Sequence, residues 1–150
     1  MTTALGMKAQ EAKDSVAHIL LEGIEVKGDI YQFSEAMKGH GYKLEKRVGD
    51  SNFYVFKGMV AGTSCYLQVD YSKSTRTVYR IMAQPKHVAI TDYVDSLKVR
   101  YGEVFDTTPR GYQWQLPTGA VMLMTPDGAD PTLVIVDAEG FVTFKDERDR

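Results

Sequence analysis

The chain has 150 residues and a mass of 16.8 kDa, with 43% hydrophobic, 25% charged and 11% aromatic residues, a formal net charge of −2 and a pI near 5.9. A chain of this size buries roughly 68–70% of its unfolded surface, enough for one core, and the composition excludes disorder, a collagen-like repeat and a disulfide scaffold. The 18 Lys and Arg against 20 Asp and Glu leave no basic field for nucleic acid or anionic lipid, and no apolar run approaches the ~20 residues that span a membrane.

The first residues, Met1 to Gln10, lack a basic start and a full apolar stretch but carry small residues before a possible cleavage after Ala9. Residues 1–17 therefore read as a signal-peptide remnant or as a frayed extension. A short apolar stretch, Ile19-Leu20-Leu21 to Ile24-Glu25-Val26, is closed by Lys27-Gly28. Asp29 is a good N-cap with Gln32 three residues on, and Ile30, Phe33 and Met37 share one face of a predicted helix stopped by Gly39 and Gly41. Four predicted strands follow, at Tyr42–Val48, Phe53–Val60, Ser64–Tyr71 and Thr77–Ala83, joined by hairpin-length connections.

After Pro85 the pattern repeats. Ile90, Val94, Leu97 and Tyr101 form a second helix stripe with Gly102 at its end, and Tyr112–Leu116, Ala120–Met124, Thr132–Val136 and Phe141–Lys145 read as strands. The predicted fold is α+β: two helix-plus-antiparallel-meander repeats, about 18–85 and 86–145, with both helices on one face of a shared sheet. Residues 146–150 read as a charged tail.

This layout leaves the other sheet face without helices. Ser64, Tyr66, Gln68 and Asp70 alternate with an apolar set, Gln113 and Gln115 oppose Tyr112, Trp114 and Leu116, and the strand at Phe53–Val60 is apolar on both faces. Tyr54, Phe56, Tyr66, Gln68, Arg80, Gln113 and Gln115 are the candidate binding residues of that face.

Leu21 to Gly28, then Phe33, Met37 and Gly41-Tyr42, then Phe56 to Gly62, and finally Leu97 to Glu103 follow one another as in a family of small exported proteins and lipoproteins of Bacteroides-type bacteria. The likeness covers about residues 20–103. In that family the segments read G-I-P-I-x-G, F-x-x-x-L-x-x-x-G-F/Y, L-x-G-x-F-A-G and L-x-x-K-Y-G-E; here Glu25 replaces the proline, and Val99-Arg100 replaces the residues before Tyr101. Such proteins resemble in fold the tandem helix–sheet repeat of the β-lactamase inhibitor protein. The resemblance implies a periplasmic or cell-envelope location and a protein-binding sheet, and carries no catalytic residue over.

The residues themselves point to no enzyme. Gly39-His40-Gly41 closes a helix instead of opening one, and no P-loop, nucleophile elbow or H-E-x-x-H sequence is present. His18, His40 and His87 have no metal-ligand spacing, Asp127, Gly128 and Asp130 lack the rest of a calcium loop, and no cofactor is expected. Glu22, Glu25, Asp92 and Asp95 each have a structural reason to stand where they do, and Cys65, the only cysteine, reads as a core residue. The expected function is a non-catalytic exported protein that binds a protein or peptide on the open face. The alternative is a small-ligand or polysaccharide-utilisation accessory protein with a pocket between the repeats, lined by tyrosines and Trp114.

Overall fold

A computed structural model describes residues 18–126 and 130–149. The expected N-terminal extension and the Asp127-Gly128 turn lie outside the described residues. The chain begins with a two-rung hairpin, β1 (Leu20–Leu21) and β2 (Ile24–Glu25), turned by Glu22 and Gly23, both at positive φ. Helix α1 (Ile30–Gly39) starts where the Asp29 carboxylate accepts the Gln32 N–H at 2.8 Å, and it ends where Gly41 at φ +90° turns the chain. Its buried face is the expected one, Ile30, Phe33 and Met37, joined by Ser34. Strands β3 (Lys43–Val48), β4 (Phe53–Val60), β5 (Thr63–Tyr71) and β6 (Val78–Ala83) follow.

Helix α2 (Ile90–Tyr101) ends at Gly102, whose N–H reaches the Lys98 carbonyl, and it buries Tyr93, Val94 and Leu97. The next strands are β7 (Asp106–Thr108), β8 (Gly111–Leu116), β9 (Gly119–Met124) and β10 (Thr132–Asp137). Eight strands form one antiparallel sheet in the order β3-β4-β5-β6-β10-β9-β8-β7. The four strands after α1 therefore meet the four after α2 along a single β6–β10 junction. One buried cluster contains the stripes of both helices together with Phe56, Leu67, Val69, Ile81, Ile135, Val121 and Trp114. The fold is α+β, and no described helix is long and apolar enough to cross a membrane.

Two expectations fail at the C-terminus. Phe141–Lys145 is not a strand but lies in helix α3 (Ala138–Arg148), and the expected charged tail is helical through Arg148. The helix forms because Asp137 caps it, accepting the Gly140 N–H at 3.0 Å, and because Phe141 and Phe144, three residues apart, share a face against Tyr79. Phe144 stacks on Tyr79 at 4.2 Å, while Glu147 accepts the Ser74 and Thr75 N–H groups. The five-residue window Phe-Val-Thr-Phe-Lys has the aromatic and β-branched residues of a strand and the i, i+3 phenylalanine pair of a helix, and tertiary packing decides between them. Among the described residues the sheet edges are consequently β3 and the three-residue β7, which polarity hid from the strand pattern.

Gly140 tests this packing. A Cβ there would collide with the Val78 carbonyl oxygen, the backbone of the strand on which α3 sits. Helix propensity alone would make Gly140→Ala stabilising by up to about 1 kcal/mol. The collision reverses the sign, and the variant is expected to lose about 1–3 kcal/mol in chemical denaturation, the usual range for forced overpacking.

Candidate binding face and flanking clefts

Cross-strand register assigns each side chain to a face. Lys46, Val55, Gln68, Met82, Val134, Met122, Gln113 and Asp106 stand opposite one another in a single row across all eight strands, away from the core. A parallel row on one side holds Lys57 and Tyr66, then Thr132, Met124 and Gly111; a row on the other holds Phe53, Asp70, Arg80, Val136, Ala120 and Gln115. Five candidate residues, Tyr66, Gln68, Arg80, Gln113 and Gln115, are thus on one outward face.

Tyr54 and Phe56 are not, and their assignment is corrected. They pair with Val69 and Leu67, point to the helix side and are 5% and 0% exposed. Strand β4 is apolar on both faces, so alternation alone could not choose between them; the pairing with β5, whose faces differ sharply, does. Tyr42 lies flat over Gly58, where a Cβ would enter its ring, and its hydroxyl donates to the Met59 carbonyl at 2.6 Å. Trp114 is also no pocket wall: it is fully buried and donates its indole N–H to the Gly102 carbonyl at 2.9 Å. Cys65 is buried in the core cluster.

The outward face is chemically uneven. Tyr66, Met59 and Met124 are more than half exposed, and Met82 and Met122 are partly so. Lys57 places its ammonium 5.4 Å from the centre of the Tyr66 ring. Lys46, Lys57 and Lys86 make no ion pair among the described residues, whereas Arg80 is held by the buried Asp70 at 2.7 Å. Positive charge therefore gathers on the β3–β5 half, the methionines lie across the middle, and Asp106 stands at the far edge. Helix α3 narrows the face: it packs on Tyr79, the extra residue at the bulge beside Arg80, so the outward side is not wholly free of helix. The methionines on alternate positions of β9 were the missed sequence signal.

On the opposite side, Glu22 links three elements that are distant in sequence. Its carboxylate accepts the Ala61 N–H at 3.0 Å, in the β4–β5 turn, and meets the Arg100 guanidinium of α2 at 3.3 Å. A cleft of 590 Å³ opens on one side of this pair, between the β1–β2 hairpin, the end of α2 and the β8–β9 turn; a cleft of 400 Å³ lies on the other side, beside the start of α2. His18 at the rim of the larger cleft pairs with Asp137 at 2.8 Å, fastening the hairpin's entry to the cap of α3. No spacing rule could have joined Glu22 to Arg100 or His18 to Asp137. Among the described residues no cluster of three or more His, Cys, Asp or Glu is arranged to hold a metal ion.

The groups around Glu22 share one electrostatic environment. Burial, reinforced by the Glu22 charge, pushes the Tyr42 hydroxyl up to about 12 and raises the Cys65 thiol and the Tyr93 hydroxyl. Burial also carries Tyr101 to about 12, against the opposing pull of Arg100. The native state thus keeps protons on Tyr42 and Tyr101 that the unfolded chain releases near pH 10. The unfolded state binds fewer protons in that window, so stability is expected to fall as pH rises from about 10 to 12. Denaturation at stepped alkaline pH checks this, and Tyr42→Phe should flatten the decline.

Comparison with family models, with curated proteins and with solved structures found no match to this chain.

Proposed function

We propose that the protein is a non-catalytic, exported docking module of the cell envelope, which binds an extended acidic protein segment carrying apolar side chains on its outward sheet face. The observation that carries the reading is the exposed Tyr66 and methionine surface lying beside lysines that make no ion pair among the described residues, in a chain whose net charge is −2. Methionine side chains adapt to partner shape, and the aromatic ring supplies an anchor at small entropic cost. Lys46 and Lys57 would receive the partner's carboxylates, raising the association rate and excluding basic competitors. Gln68, Gln113 and Gln115 offer amide donors and acceptors along the same rows, and Arg80, fixed by Asp70, closes the surface next to α3.

The two units are read in the same proposal as a tandem repeat resembling that of the β-lactamase inhibitor protein. Supporting this, each unit is a helix followed by four antiparallel strands, and the last strand of each meets the other's at the sheet centre. Edge pairing is not the mode of binding in this reading. Strand β3 presents Lys43, Lys46 and Arg47 with a bulge at Glu45, and β7 has three residues, features that discourage strand addition.

A peptide array tests the proposal. Acidic peptides containing aromatic or aliphatic residues are expected to retain the protein, and their basic counterparts are not. Tyr66→Ala and the double variant Lys46→Glu, Lys57→Glu should each weaken retention about tenfold, equivalent to about 1.4 kcal/mol, with binding falling as salt rises. Equal retention of acidic and basic sets, or retention indifferent to both variants, would contradict it.

A further inference from the structure

The geometry points to a second, separate site: the 590 Å³ cleft beside Arg100 binds a small amphipathic carboxylate, with its apolar body against the cleft wall and its anion on the guanidinium. The volume falls within the roughly 300–1,000 Å³ typical of ligand pockets. Ile19, Leu20, Leu116 and Pro117 supply the apolar wall, so a ligand without an apolar body would leave that surface wet.

Arg100 selects the head group. Its side chain is 42% exposed, and its contacts to Glu22 are 3.3 and 3.4 Å, longer than the 2.7–2.9 Å usual for close charge-assisted bonds. Those contacts use Nη1 and Nη2 on one carboxylate, while an arginine carries five N–H donors. Glu22, which lines the cleft as well, is also held by the Ala61 N–H and is the less exposed partner, 23% against 42% for Arg100, so the guanidinium is the more accessible half of the pair. The Tyr101 hydroxyl donates to the Leu20 carbonyl, closing that part of the wall, and His18 is tied to Asp137. A carboxylate approaching the open side of Arg100 completes the donor set without displacing Glu22.

The site is distinct from the outward sheet face and does not rest on the docking proposal. Its test uses decanoate as the probe, with decanol and decylammonium as controls, measured by isothermal titration calorimetry on the full chain. Decanoate is expected to bind at least tenfold more tightly than either control. Arg100→Gln, which keeps a hydrogen-bonding partner for Glu22, should remove that preference. Leu116→Trp, which fills the cleft without touching the Glu22–Arg100 pair, should abolish binding while thermal unfolding shows the variant folded. Lys57→Glu, on the other face, should leave decanoate binding unchanged. Absence of decanoate binding, equal binding of decanol, or binding that survives Leu116→Trp would overturn the inference.

Discussion

The pairing of β6 with β10 is the constraint on which the rest of the molecule depends. Four successive registered pairs, Ala83 with Leu133, Met82 with Val134, Ile81 with Ile135 and Arg80 with Val136, make two four-stranded meanders into one sheet. Because side chains alternate, that register also sets both surfaces at once. Ile81 and Ile135 join the inner side of one half to the inner side of the other, so α1 and α2 cover a single core; Met82 and Val134 do the same for the outward row. A slip of one residue would turn Ile135 outward and break both surfaces together. Fully burying one such isoleucine contributes about 1.5–3 kcal/mol, so the junction is an energetic joint as well as a topological one.

Polar contacts then fasten what the sheet leaves loose. The β1–β2 hairpin has only two rungs and could not stand alone. It is fixed at one end by Glu22, bound to the β4–β5 turn and to α2, and at the other by His18, bound to Asp137. Asp137 uses its second carboxylate oxygen to cap α3, so one buried acid links the chain's first described residue to its last helix. The proposed carboxylate cleft lies between these two ties, while the proposed docking face lies across the sheet from them, where alternation has placed lysines, methionines and amides.

What could be read from the sequence follows the range of the interactions concerned. Helices α1 and α2 were legible because their caps and apolar stripes are local, as were the seven long strands bounded by turn residues. The α+β class followed from their order. Helix α3 was not legible, since Phe141 to Lys145 suits strand or helix and its choice is made by Tyr79, Val78 and the Asp137 cap. Tyr66, Gln68, Gln113 and Gln115 could be set on common strand faces because β5 and β8 alternate cleanly, whereas β6 is apolar on both faces and Arg80 joins them through its pairing with Asp70. Tyr54 and Phe56 were misplaced because β4 does not. The Glu22–Arg100 and His18–Asp137 pairs span 78 and 119 positions and leave no mark in local pattern.

Amide hydrogen exchange across the two central strands tests the account most directly. If β6–β10 is the joint that makes one sheet and one core, the amides of both strands exchange only through global unfolding, with the same free energy on either side of the junction. A lower-energy opening that releases residues 30–83 while 106–137 stay protected, or the reverse, would contradict it.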